Sequence, residues 1–183
     1  MARQRKKLLI VDGYNVLRSG SRYAHLRDAG PNPDYADDSF NRAREALIND
    51  VVAYAGRDFD AVVVFDGAGN QFSDGSCERI GGVRVMFSAS GSSADKVIEK
   101  ISRQARDRGV ETMVVSSDAT IQNTVFGLGV DRMSANGFSH AVDVNDQEYQ
   151  LDLSPKVAIK NTLGERLSED VRAKLIAIRD GAK

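Results

Sequence analysis

The stretch LLIVDGYNVL, Leu8 to Leu17, runs an apolar segment directly into a carboxylate, a glycine, an aromatic residue and an asparagine. An uninterrupted run such as Leu8-Leu9-Ile10-Val11 is the pattern of a strand covered on both faces, as in a parallel sheet between helices. Asp12 stands where such a strand would leave the core. Two more runs end the same way: AVVVF (Ala61 to Phe65) stops at Asp66, and TMVVSS (Thr112 to Ser117) stops at Asp118. GVRVMF (Gly82 to Phe87) and GVDRMS (Gly129 to Ser134) are weaker strand patterns.

Helical periodicity fills the intervals. Phe40, Ala43, Leu47, Val51 and Tyr54 share one face, after the cap candidates Asp37, Asp38 and Ser39. Val97, Ile98, Ile101 and Ala105 repeat the pattern after Ser92 and Ser93 and stop before Gly109. A further helix is expected from Ser134 to about Val144. Strands alternating with helices predict an α/β fold with a mainly parallel, helix-covered sheet. Gly20, Gly30, Pro31 and Pro33 predict a long loop from Ser19 to Asp37, and DGAGNQFSDGSCERIGG predicts a second from Asp66 to Gly82. Residues 1–146 read as one domain. Residues 147–183 read as an extension ending in a short helix capped by Ser168, striped by Val171, Leu175 and Ile178, and closed by Gly181, expected to pack on the same domain.

A chain of 183 residues suits one well-packed domain, and 42% hydrophobic with 28% charged residues is a globular composition. No apolar run approaches the ~20 residues that span a bilayer. The basic start MARQRKK is followed by too few apolar residues for the ~7–15-residue segment of a secretory signal. A cytoplasmic protein with no membrane partner is expected. The lone Cys77 excludes an internal disulfide and a cysteine-based metal site. A net charge of -1 argues against a general nucleic-acid coat, so a polyanion would have to meet a local basic patch. Candidates are Arg3, Arg5, Lys6 and Lys7, then Arg18 and Arg22, then Arg42 and Arg44.

In open α/β sheets, ligands bind beyond the carboxyl ends of the strands. Parallel strands would bring Asp12, Asp66 and Asp118 to one edge. Asp95, in the first turn of the helix after the Gly82–Phe87 strand, starts at that same edge. Gathered carboxylates repel one another, and a hard divalent cation is the usual compensation. Such ions can activate a water and stabilise a leaving oxygen. Asn15 adds an amide able to orient a carboxylate, a water or a phosphate, and Gly13 is expected to let the chain turn sharply.

Each acid also has a plain structural reading. Asp12 and Asp66 precede glycine, as in turns; Asp118 could cap the helix beginning ATIQ; SSAD, Ser92 to Asp95, could be a capping box. Repetition at strand exit after strand exit favours a metal site. Other chemistries fit less well. His25 and His140 lack metal-ligand spacing, and Ser116 and Ser117 lack a His/Asp partner. GAGNQ at Gly67 lacks the rest of a dinucleotide loop. An aspartyl phosphatase would need a second acid where Tyr14 stands, and a phosphoacceptor receiver would need a lysine where Arg132 and Ser134 stand.

With LLIVDGYNVL as its first motif, the chain resembles the YacP-like family, in the NYN branch of the PIN-like nucleases. AREALINDVVAYAG resembles the family's first long helix and VVVFDG its second strand. VRVMFSASGSSADKVIEKI resembles its acid-containing helix start, VVSSDATIQ its third acid strand, and DRMSANGF the segment after it. The likeness covers Lys7 to Val144. It departs at Gly67-Ala68, where a small residue and a histidine are usual, and at Ser92, where one acid is lost.

The resemblance implies a three-layer α/β/α PIN-like domain that cleaves single-stranded RNA, with Mg²⁺ or Mn²⁺ as cofactor. It implies Asp12, Asp66, Asp95 and Asp118 as the acidic cluster, with Asn15 beside them and Arg44 as a phosphate contact. It further implies a role in mRNA turnover, with the ribosome as a candidate partner. The leading expectation is thus a metal-dependent endoribonuclease. One or two ions would be held by Asp12, Asp95 and Asp118; Asp66 and Asn15 would tune the site; Arg18, Arg22 and Arg44 would hold the RNA backbone. Hydrolysis would leave a 3′-hydroxyl and a 5′-phosphate. The alternative is a non-catalytic RNA- or ribosome-binding module of the same shape. A phosphoryl-transfer receiver is a third reading, and the oligomeric state is left open.

Overall fold

The computed structural model describes residues 6–27, 40–56, 58–67, 75–125, 127 and 129–153. The expected caps Asp37, Asp38 and Ser39, the basic residues Arg3 and Arg5, and the expected helix from Ser168 to Gly181 lie outside these residues. The chain divides into two compact units, Met1–Glu148 and Tyr149–Lys183.

The first unit is built on a six-stranded sheet: β1 (Lys7–Asp12), β2 (Phe59–Phe65), β3 (Cys77–Ile80), β4 (Val83–Phe87), β5 (Thr112–Val115) and β6 (Val130–Met133), in the order β3-β4-β2-β1-β5-β6. Only β3 runs antiparallel, paired to β4. The other pairs are parallel, with Val11 beside Val63 on one side and Val115 on the other. Leu9, Ile10 and Val11 are fully buried, as a strand covered on both faces requires. The helices are α1 (Gly13–Ser19), α2 (Ala24–Arg27), α3 (Phe40–Ala55), α4 (Ala94–Asp107), α5 (Ala119–Thr124) and α6 (Ala135–Leu153).

Alternation along β1 divides the core. Leu9 and Val11 point to one face, where they meet Val16 and Leu17 of α1, Leu47 and Val51 of α3, and Phe138 and Val142 of α6. Leu8 and Ile10 point to the other, against Ile98 and Ala105 of α4 and Ile121 of α5. The result is the expected three-layer α/β/α architecture.

The two segments read as loops are partly ordered otherwise. The residues after Ser19 form a 3₁₀ turn, Ser21–Tyr23, and then α2. The stretch after Asp66 contains the edge strand β3, whose four residues are all exposed and therefore carry no alternating pattern. The helix expected to end near Val144 runs on to Leu153.

α1 was legible only as a turn. Gly13 does not lie in the left-handed region, and its role is steric: a Cβ there would come within 2.4 Å of the Phe65 ring. Phe65 is fully buried, edge-on to Tyr14 and stacked on Phe87. Glycine allows the first turn of α1 to sit directly on that ring.

Candidate active site

β1 is the point at which the chain's crossovers reverse: β2 and β4 lie to one side of it, β5 and β6 to the other. The loops after β1 and β5 leave in opposite directions there and open a crevice, the usual ligand position in such sheets. Asp12 ends β1 and Asp118 follows β5, so both flank that crevice.

Asp12 is nearly buried and caps α1, accepting from the Asn15 backbone N–H at 3.3 Å. Its second oxygen accepts from the fully buried Ser116 hydroxyl at 3.0 Å. That hydroxyl also accepts from the Asp118 backbone N–H at 3.1 Å, so one serine ties the two acidic loops together. Asn15 ties them a second time, its side-chain oxygen accepting from the Ser117 N–H at 2.7 Å. Asp118 caps α5, accepting from the Thr120 N–H at 2.7 Å.

Asp66 accepts from the Ser88 hydroxyl at 3.2 Å, and Ser88 accepts in turn from the Gly67 N–H at 2.9 Å. This links the ends of β2 and β4. Asp95 lies exposed in the first turn of α4. The cap of α4 is Ser93, accepting from the Lys96 N–H at 3.4 Å, so the Ser92–Asp95 capping box does not form.

Burial pushes the Asp12 carboxyl up to about 6 against the opposing pull of its Ser116 and Asn15 hydrogen bonds, and Asp95 and Asp118 push it further. The Asp95 carboxyl is raised by partial burial, then by Asp118 and Asp66. The four acids thus feel one another across the crevice. Among the described residues, no three acidic, histidine or cysteine side chains stand close enough to hold an ion directly. The donors are all hard oxygens, gathered at the ends of β1, β2 and β5 and the start of α4. They fit a hydrated Mg²⁺-type ion, which keeps several of its own waters.

The cations are placed differently from one another. Arg44 of α3 donates to the Tyr14 hydroxyl at 2.9 Å, and the Arg18 guanidinium lies 5.6 Å over the same ring, both on the α1 side of Asp12. Arg22 is held by three carboxylates: Asp50 at 2.7 Å, Asp146 at 2.7 Å, and Asp143. Tyr23 donates to Asp50 at 2.8 Å. The Arg22 guanidinium is thereby committed to pinning α3 and α6 to the 3₁₀ turn. His25 and His140 are both exposed.

Sequence reasoning passed over Ser116 and Ser88 as site residues. From sequence Ser116 reads only as a candidate nucleophile, whereas in the fold its hydroxyl ties Asp12 to the Asp118 loop. The available signal was a hydroxyl directly continuing the apolar run of β5.

A mainly parallel sheet in this order, with acids around its point of reversal, defines a PIN-like, nuclease-like α/β domain. The chain belongs to the YacP-like NYN domain family, whose model matches residues 9–180. It is 27% identical over 165 residues to the uncharacterized protein YacP of Bacillus subtilis strain 168, covering 90% of this chain and 91% of that one. The crystal structure of Rae1 (YacP) from Bacillus subtilis matches with a TM-score of 0.63 at 26% identity, covering 96% of this chain and 95% of that one. A mutant of Rae1 (YacP) shares the fold at a TM-score of 0.63 and 24% identity, covering 94% and 99% of the two chains.

Proposed function

We propose that the protein is a metal-dependent endoribonuclease that hydrolyses phosphodiester bonds in single-stranded RNA. The observation that carries this reading is that Asp12, nearly buried at the end of β1, and the Asp118 loop after β5 are tied together across the crevice by one serine hydroxyl, with Asp95 close enough to act on both. A divalent cation, Mg²⁺ or Mn²⁺, would be held there by Asp12, Asp95 and Asp118 partly through its own waters, and would supply charge neutralisation and activation of water. A domain that only bound RNA would gain from losing these charges, because each repels the phosphate backbone.

The protein's own groups then have distinct tasks. Ser116 and Asn15 orient Asp12 and fix its distance from the Asp118 loop. Asp66, steadied by Ser88, contributes negative charge at the β2 end and orders water. Arg18 and Arg44 approach the RNA backbone from the Tyr14 side. Arg22 is assigned no RNA contact, since four of its five N–H donors serve three carboxylates. In the reaction a water oxygen bonds to phosphorus as the bond to the 3′ oxygen breaks. The products carry a 3′-hydroxyl and a 5′-phosphate. Messenger RNA in the cytoplasm, free or ribosome-bound, is the proposed substrate.

The test is cleavage of an end-labelled single-stranded RNA with Mg²⁺ or Mn²⁺, with chelator, and with Asp12→Asn or Asp118→Asn. Loss of cleavage in chelator and in both variants is expected. Full activity in both variants would overturn the proposal.

A further inference from the structure

The opposite edge of the sheet carries a second feature, independent of the acidic crevice and of the nuclease reading. A groove of about 730 Å³ opens at the amino ends of β1, β2 and β4, about 15 Å along the strands from Asp12. Its lining includes Lys6, Arg79, Arg84 and Arg108, opposed by the single carboxylate Asp60. In a chain of net charge -1, this is a concentrated positive patch.

The register makes the patch costly. Arg79 of β3 lies directly opposite Arg84 of β4, so the two guanidinium side chains leave the same face of the sheet. Like charges directly opposite in an antiparallel pair are destabilising. Arg84 also neighbours Val62, whose side chain joins the α4-side core, so both arginines face α4. Arg108, at the C-terminal cap of α4, brings a further charge to that face. Relief is slight: Asp60 reaches Arg84 only at 3.5 Å, and Arg79 touches the Gly82 carbonyl at 3.4 Å. The Arg84 Nε is buried with no hydrogen-bond partner among the described residues. A buried guanidinium N–H left without a partner is destabilising unless an acceptor arrives.

We propose that this groove binds a nucleoside phosphate. Arg84, Arg79 and Arg108 take the phosphate oxygens, for which forked guanidinium donors are suited. Leu8, Ile101 and Ala105 provide an apolar wall for the nucleoside. The volume lies in the usual range for small-molecule sites and far exceeds what inorganic phosphate alone would fill.

The experiment is isothermal titration of the full chain, in chelator so that no divalent ion recruits phosphate to the acidic edge, with ADP, GDP, inorganic phosphate and adenosine. At least one diphosphate is expected to bind, inorganic phosphate at least tenfold more weakly, and adenosine not measurably. Arg84→Gln should weaken the diphosphate at least tenfold. Arg108→Gln, at an exposed helix end, should weaken it about threefold and serves if Arg84→Gln fails to fold. Asp118→Asn, at the far edge, should bind the diphosphate as the wild type does. The proposal is overturned if neither diphosphate binds, if both arginine variants bind normally, or if adenosine binds equally well. Displacement of the diphosphate by single-stranded RNA would assign the groove to a polynucleotide and would also overturn it.

Discussion

Replacing Gly13 by alanine sets two physical effects against each other. Within a helix, Ala is favoured over Gly by about 1 kcal/mol, so propensity alone predicts a gain. Packing predicts a loss. The new Cβ would stand 2.4 Å from both Cδ1 and Cε1 of Phe65 and 3.0 Å from Cζ. Ordinary contact begins near 3.4 Å, so the ring must withdraw by about 1 Å. It has little room to do so, being fully buried with Phe87 stacked at 5.3 Å and Tyr14 edge-on at 5.1 Å. Overpacking of this kind costs about 1–3 kcal/mol and the overlap is severe, so the upper end applies. The net expectation is a loss of about 1–2 kcal/mol in urea unfolding. At about 2–4 °C per kcal/mol, Tm should fall by about 2–8 °C. Activity should fall as well, since Asp12 is adjacent. In a Phe65→Leu background the cost should shrink, because the two sites share one contact. A Gly13→Ala protein as stable as wild type, or a cost undiminished in the Phe65→Leu background, would refute the argument.

Three further outcomes are expected. The Asp12 carboxyl sits at about 6 in the fold against about 3.9 when unfolded, so the folded state holds the proton more tightly. Metal-free stability should therefore be greatest below pH 4 as far as this group is concerned and fall by about 3 kcal/mol in all as pH rises through about 6. Urea unfolding in chelator should show that slope, and Asp12→Asn should abolish it. Ser116→Ala removes a buried hydroxyl serving both Asp12 and Asp118, so it should cost about 1–3 kcal/mol and lower kcat more than it raises KM. Arg22→Ala would leave Asp50, Asp143 and Asp146 facing one another. A loss of about 2–4 kcal/mol is expected at neutral pH, with partial recovery near pH 3 and no change in the KM for RNA under conditions where the variant is folded.

The three central strands and their acids were legible because each combines a local apolar run with a local terminator: Leu8–Asp12, Ala61–Asp66 and Thr112–Asp118 need no knowledge of distant residues. α4 was legible for the same reason, and of the two serines before it Ser93 is the cap. β3 was not legible, because CERI is exposed along its whole length and pairs only through its backbone. α1 has seven residues, too few to establish a period, and its glycine answers to Phe65, far along the chain. The role of Arg22 depended on Asp50, Asp143 and Asp146, a partnership made only by folding, so its charge alone read as a nucleic-acid contact. The carboxylate cluster could be named from sequence, but the serines that hold it could not. Hydroxyl-to-carboxylate bonds between neighbouring strand ends have no sequence period.

The central claim is that water, acting at the Asp12–Asp118 crevice, cuts RNA. A single-turnover digestion of single-stranded RNA in ¹⁸O-labelled water with Mn²⁺, read by mass spectrometry of the fragments, tests it directly. The account predicts one ¹⁸O atom in a new 5′-phosphate and an unlabelled 3′-hydroxyl, with neither formed by Asp118→Asn. Fragments ending in 2′,3′-cyclic phosphate and 5′-hydroxyl, or an intact RNA under Mn²⁺ and Mg²⁺ alike, would contradict it.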